Sequence, residues 1–249
     1  MAIQLSSIKT GGNKSKPLMI LHGTPGVGKT YLAAHSENPV FICAEDGLGK
    51  LKDTVPAFDP YPENYGQVLD MIGALYQEND FSTVVIDSAS ALELMIWEQV
   101  ASDNGKTNVE QIGYGKGYAE AVNYWSEFVK ALKGLTKMDK TVILIAHTAI
   151  ETYTPPESDP YDRYMLKLHK RAHALLVESA DVIGFMQQKT HLIDVESSFG
   201  NKKRGVTTKS KMMLFTEKAS HIAKNRYSLP DLECSDVSDF WVNFKSHTA

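Results

Sequence analysis

The sequence predicts an α/β fold in which a mainly parallel sheet is flanked by helices, with antiparallel strands added toward the C-terminus. Three observations predict it. A glycine-rich loop, Gly23-Thr24-Pro25-Gly26-Val27-Gly28-Lys29-Thr30, follows directly on the apolar run Leu18-Met19-Ile20-Leu21. Nearly continuous apolar runs then alternate with helical patterns, as strands buried on both faces of a parallel sheet require. Beyond residue 182 the strand-like pieces crowd together and are joined by polar turns, as in hairpins.

The loop matches G-x-x-x-x-G-K-[ST]. Its glycines let successive backbone N–H groups curl around phosphate oxygens, its Lys reaches the β/γ-phosphates, and its hydroxyl ligates Mg2+. Gly23, Thr24, Pro25, Gly26, Val27, Gly28, Lys29 and Thr30 are therefore candidate nucleotide-binding residues, with ATP and Mg2+ as the ligands. Lys29 is also a candidate for the chemistry, and Thr30 for the metal.

Residues 29–37 begin the next helix, and Asn38-Pro39 ends it because the residue before a proline is pushed out of the α region. Residues 40–44 read as a second buried strand closing in Glu45-Asp46-Gly47. A loop over 58–65 leads to a helical pattern through Val68, Leu69, Ile72 and Leu75. Residues 83–86 form a strand that ends in Asp87-Ser88. Apolar residues at 118, 121, 122, 125, 128, 129 and 132 mark one face of a helix at a period of about 3.6 residues. The strand 141–146 follows, capped by His147. Residues 152–164 read as a loop, and Met165, Leu168, Ala172, Leu175 and Leu176 as an amphipathic helix. The pieces 182–187, 191–195 and 212–216 read as hairpin strands.

A chain of 249 residues, 43% hydrophobic and 22% charged, suits one large domain better than two small ones. A single domain over 1–249 is expected, with its core at about 18–230, a short N-terminal segment and an acidic amphipathic C-terminal tail. A formal net charge of -4 carries no global signature of a nucleic-acid binder, so DNA contact requires a local basic patch. Cys43 and Cys234 have no zinc-type spacing and read as buried thiols of a reducing compartment. No apolar run approaches the roughly 18 residues of a membrane span, so no membrane partner and a cytoplasmic location are expected.

A phosphate-loop ATPase also needs a carboxylate at the end of a hydrophobic strand, sharing the Mg2+ shell with the loop hydroxyl. Asp87 answers that description; the competing reading makes it a cap of the following helix. The attacking water needs a base or polariser. Ser88 occupies the position just after Asp87 where many ring-forming ATPases carry Glu, so Glu45, at the end of a neighbouring strand, is the candidate.

The order phosphate loop, strand ending in Glu, strand ending Val84-Val85-Ile86-Asp87-Ser88-Ala89-Ser90-Ala91-Leu92, then strand ending in a polar residue, resembles the RecA/Rad recombinase ATPase core. More closely, the chain resembles the compact single-domain phage nucleotide-binding proteins of the AAA type in that lineage, associated with single-strand annealing and recombination. The resemblance implies a RecA-like core and an ATPase acting in an infected bacterial host. It implies single-stranded DNA as partner, bound directly or through a single-strand-binding protein, and a homo-oligomeric ring or filament. It makes Glu45 the catalytic carboxylate and His147 a sensor of the γ-phosphate, where RecA-type proteins place an amide. Ala223-Lys224-Asn225-Arg226 looks like the basic motif that related enzymes insert at a neighbour's γ-phosphate, which makes Lys224 and Arg226 catalytic candidates in trans. Motif logic places no Arg or Lys other than Lys29 on the γ-phosphate within one subunit, so a neighbour is expected to supply a further cation.

Rival readings use the same residues. Thr136-Lys137-Met138-Asp139 matches a guanine-reading motif but precedes its strand instead of following one. A small-molecule phosphotransferase would need an arginine-bearing lid, for which Arg163 and Arg171 are available. A nucleotide-switched binding module with negligible turnover would have no use for Glu45. For DNA, Lys202, Lys203, Arg204, Lys209 and Lys211 put five basic residues in ten positions with no acid, the composition of a hairpin tip or of a solvated turn. Tyr114, between Gly113 and Gly115, is a candidate for stacking on bases.

Overall fold

The computed structural model describes residues 15–195, 202–234 and 236–248; most of the expected N-terminal segment lies outside them. Along the first half run β1 (Leu18–Gly23), α1 (Lys29–Ala34), β2 (Pro39–Cys43), α2 (Tyr65–Ala74), β3 (Thr83–Asp87), α3 (Ala89–Asp103) and α4 (Lys116–Lys137). Then come β4 (Thr141–Ala146), β5 (Thr148–Tyr153), β6 (Tyr161–Leu166), α5 (Lys170–Ser179), β7 (Val182–Val195), β8 (Lys202–Leu214), β9 (Lys224–Asn225), β10 (Leu232–Glu233) and α6 (Val237–Thr248).

The main sheet has the order β10-β8-β7-β1-β4-β3-β2, with β9 also paired to β7. Strands β7, β1, β4, β3 and β2 are parallel, and β8, β9 and β10 are antiparallel additions, so the mainly parallel sheet with antiparallel strands toward the C-terminus is as expected; residues 182–187 and 191–195, read as separate hairpin strands, instead form the single strand β7, whose start pairs parallel with β1. β1, β2, β3, β4 and the first residues of β7 are mainly apolar because helices cover both faces. Alternate residues of one strand enter different cores. Ile20, Ile42, Val84, Ile86 and Leu144 meet Val68, Leu92, Phe128, Leu132 and Leu176 of α2 to α5 on one face. Met19, Leu21, Phe41, Val85 and Ile143 meet Leu32 of α1 with Phe240 and Phe244 of α6 on the other.

Three further expectations need correction. Residues 152–164, read as a loop, contain most of the β5–β6 hairpin, a separate antiparallel pair in register from Thr148↔Leu166 to Tyr153↔Tyr161. It lacks the alternating apolar signal because Ile150 and Tyr153 are exposed; cross-strand contacts such as Tyr153 against Tyr161 hold it. The helix read from Met165 begins only at Lys170, since Met165 belongs to β6. The acidic C-terminal stretch is not a tail: α6 buries Phe240 and Phe244, and Trp241 Nε1 donates to Leu32 O at 2.9 Å.

The helical layer contains a buried carboxyl. Glu93 on α3 is 5% exposed and accepts from the backbone N of His169, just before α5, with both oxygens at 2.9 and 3.0 Å. Burial pushes its carboxyl up to about 7, against 4.5 ordinarily. A raised pKa in the folded state means that Glu93 supports folding below pH 4.5 and loses that support as pH rises through 7. Urea denaturation across this window is expected to show a decline of up to about 3 kcal/mol from this group, absent in Glu93→Gln. A Glu93→Gln profile parallel to the wild type would refute the assignment.

Candidate functional site

The phosphate loop lies where the fold turns from β1 into α1. Gly26 (φ 75°) and Gly28 (φ 106°) take left-handed conformations that favour glycine, and Gly28 is the residue that opens α1. Gly23 is required for a different reason: a Cβ there would lie 2.3 Å from Met186 O of β7. Lys29, 7% exposed, folds back along the loop, and its Nζ donates to Gly23 O at 2.8 Å and Thr24 O at 3.2 Å.

The strand order brings the remaining candidates to this point. β4 lies between β1 and β3, in register Leu21↔Ile145 on one side and Asp87↔Ile145 on the other. β2 lies beyond β3, with Cys43 opposite Asp87. Glu45, Asp87 and His147 therefore stand with the phosphate loop at the carboxyl ends of four parallel strands. Thr30 Oγ1 donates to Asp87 Oδ2 at 2.7 Å. The competing role for Asp87 falls to its neighbour: Ser88 precedes α3, and its side chain accepts from Ala91 N at 3.4 Å. Glu45 and His147 meet across the end of β3, His147 Nε2 donating to Glu45 Oε1 at 2.9 Å. His147 is itself held by its backbone N, which donates to Ser90 Oγ at 3.3 Å.

Charge in this cluster is concentrated and partly desolvated. Burial pushes the Asp87 carboxyl above the usual carboxylate range, and Glu45 adds to the rise, while the Thr30 hydrogen bond and the charges of Lys29 and His147 oppose it. Burial also lowers Lys29, against the attraction of Asp87 and Glu45. Two hard oxygens, one hydroxyl and one carboxylate, in direct contact beside an anion-binding loop fit Mg2+, which takes one or two protein oxygens together with substrate phosphates.

Other candidates stand elsewhere. Lys224 and Asn225 pair with Ile183 and Val182 at the start of β7, the end of the sheet opposite the phosphate loop. Lys224 Nζ donates to Val177 O and Glu178 O at 2.8 Å each, and Arg226 Nη1 to Asp181 Oδ1 at 2.9 Å. The structure does not bring them to the site of their own chain. Lys202, Lys203, Arg204 and Lys209 belong to β8, but their side chains lie outside the described part of the structure. Lys211 is separate from them: a Cβ on Gly28 would lie 2.7 Å from its Nζ. Motif logic places no cation other than Lys29 on the γ-phosphate within one subunit, but β8 brings a second ammonium close to the loop from far along the chain. Tyr114 is fully exposed at φ 50°, two residues before α4.

Two positions that sequence reasoning passed over support the cluster. One is Ser90. The other is His22, fully buried on β1 beside Gly23, where Nε2 donates to Ile222 O at 2.9 Å and Nδ1 accepts from Thr148 Oγ1 at 3.1 Å. A single His within an apolar strand gives no signal that its partners come from the β5–β6 hairpin and from residue 222.

Residues 15–227 match a family model described as an AAA domain. A search of curated proteins found no match. Among solved structures, the crystal structure of the RadB recombinase is similar, with a TM-score of 0.45 and 12% identity over 90% of this chain and 87% of that one. No helix among the described residues is long and apolar enough to cross a membrane. With its phosphate loop, its strand-end carboxylates and nearly all its sheet inside the matched residues, the chain belongs to the AAA domain family.

Proposed function

We propose that this protein is a Mg2+-dependent ATPase that acts with single-stranded DNA in phage-type recombination or annealing, as a homo-oligomer. One observation carries the ATPase reading: Lys29, Thr30, Glu45, Asp87 and His147, spread over 119 positions, converge at the carboxyl ends of adjacent parallel strands, with Thr30 on Asp87 and His147 on Glu45.

Each residue then has a task. The loop amides and Lys29, once turned from its own carbonyls, hold the β/γ-phosphates. Thr30 and Asp87 would hold Mg2+, which supplies charge neutralisation on the phosphate oxygens. Glu45 orients the attacking water and takes its proton as general base. His147 fixes the Glu45 carboxylate by donating from Nε2.

Arg163, the residue available for a phosphotransferase lid, is 8% exposed, pairs with Glu217 and donates to His221 O at 3.0 Å, so it is held in the β6 region. That observation favours water as the acceptor. For DNA, the long antiparallel β7–β8 hairpin and the exposed Tyr114 are the supporting features, offering basic residues for phosphate contact and a ring for base stacking. The homo-oligomer rests on the RecA/Rad resemblance. Any contribution of Lys224 and Arg226 to a neighbour's site requires them to leave the carbonyls and carboxylate they now hold.

Steady-state ATP hydrolysis, with and without single-stranded DNA and over a range of protein concentrations, tests the whole reading. Stimulation by DNA and a rise in specific activity with concentration are expected; no hydrolysis under any condition would overturn it. Lys29→Ala is expected to lose ATP binding, whereas Asp87→Ala retains part of it and loses Mg2+-dependent turnover. Wild-type hydrolysis in either variant would remove the site assignment.

Glu45→Gln separates an ATPase from a nucleotide-switched module. It is expected to bind ATP as the wild type does and to hydrolyse it about 10²-fold or more slowly, the range for loss of a positioned base. Unchanged turnover would move the base elsewhere, to Asp46 first.

A further inference from the structure

We propose that Lys211 is a second phosphate-binding cation of the nucleotide site, supplied within the same chain by β8. The proposal rests on the ATP reading above and extends it to a residue outside every nucleotide motif of the sequence.

Position is the first argument. Lys211 Nζ stands so close to Gly28 that an added Cβ would lie 2.7 Å away, and Gly28 belongs to the backbone segment whose amides the loop motif aims at phosphate. Partnership is the second. Lys211 is half-buried, yet its Nζ forms no ion pair or hydrogen bond with any described residue. The acid nearest in β10, Glu233, is occupied by the Ser210 hydroxyl. An ammonium withdrawn from water without a carboxylate or carbonyl is costly. An anion on the phosphate loop removes that cost.

The backbone explains why this side chain is held there. Gln188 pairs with Lys211 and Thr190 with Thr207, so β8 uses four steps where β7 uses two. A bulge of this kind re-aims the side chains next to it. On the other side, Cys234 N donates to Lys211 O at 2.7 Å, which clamps the residue between β7 and the segment leading to α6. Met213, two residues on and on the same face of the strand, is fully buried in the core that contains Leu32 of α1. The alternation of β8 thus directs Lys211 to the α1 side of the sheet. There it lines a cavity of about 350 Å3 with Gly28, Tyr31, Leu32, Met186 and Cys234. The cavity opens beside the loop and is within the size range of small-ligand sites.

The chemistry recognised is the polyphosphate of a nucleoside di- or triphosphate. Calorimetric titration of the full chain with MgATP, MgADP and inorganic pyrophosphate, with adenosine as the phosphate-free control, reads it directly. Lys211→Met is expected to weaken all three phosphate ligands on the order of 10-fold, the range for one charge-assisted hydrogen bond, and to leave adenosine unaffected. Added salt should weaken MgADP binding less in Lys211→Met than in the wild type. Lys211→Arg, which keeps the charge, is expected to retain most of the affinity, and the ligand-free melting temperature of both variants should match the wild type. Wild-type or tighter MgADP affinity in Lys211→Met would overturn the proposal, as would an equal loss for adenosine. Loss of ATP binding in Lys29→Ala alongside unchanged binding in Lys211→Met would overturn this proposal alone. No ATP binding by the wild type would overturn the reading beneath it.

Discussion

Strand β4 lies between β1 and β3, and the chemistry of the molecule depends on that placement. It is inserted between them, so that β1, which ends in the phosphate loop, and β3, which ends in Asp87, stand one strand apart. At that spacing the side chain of Thr30, one residue into α1, reaches Asp87 at 2.7 Å. β4 itself ends at His147, which thereby stands between the loop and Glu45 of the next strand but one. The insertion is stable because Val142, Ile143, Leu144 and Ile145 are each at most 1% exposed, which contributes about 1.5–3 kcal/mol per side chain on transfer grounds. Packing on both faces of one strand therefore sets distances among charged groups at its end.

Two buried titratable groups tie the periphery to this frame, and they respond to pH in opposite directions. His22 is lowered to about 3, chiefly by burial, and its neutral ring bridges Thr148 and Ile222. A depressed pKa means that its contribution is intact above pH 6.5 and is lost as pH falls toward 3. Glu93 loses its contribution as pH rises from 4.5 to 7. The two windows overlap, so the chain has a shallow stability maximum between them as far as these groups are concerned. His22 also adjoins Gly23 and stacks near Phe185, with Phe185 against His221 and Tyr164. Acid titration of one core ring would disturb the β5–β6 hairpin and the start of the phosphate loop together.

How much of this could be read in the sequence depended on whether the signal was local. The phosphate loop, β3 with Asp87 and β4 with His147 each announce themselves within a few residues, because an apolar run followed by a polar strand end is a contiguous pattern. Glu45 was legible for the same reason. The β5–β6 hairpin was not, since its stability comes from cross-strand pairs and its faces are wet. The bounds of α5 were misread because Met165 and Leu168 happen to extend a helical spacing into a strand. Lys211 was read only as part of a basic stretch for DNA: nothing near position 211 records that a bulge and the Cys234 amide direct its side chain to a loop at residue 28.

That last case bears on assembly. Phosphoryl transfer gains from every cation that faces the developing charge, and a chain with a single motif lysine invites the conclusion that a neighbour completes the site. Here β8 brings a second ammonium to the loop within the same chain, while Lys224 and Arg226 are engaged at the far end of the sheet, tying α5 and Asp181 to β9. Asp181 in turn accepts from the backbone N of Leu18 at 3.1 Å, so the basic triplet anchors the start of the strand whose other end is the phosphate loop. Withdrawing Arg226 to serve a partner would release that anchor. Charge at the nucleotide is therefore a weaker argument for oligomerisation in this protein than the motif suggests. The stronger one must come from surfaces, the β7–β8 hairpin first among them, that a second subunit or a DNA strand could cover.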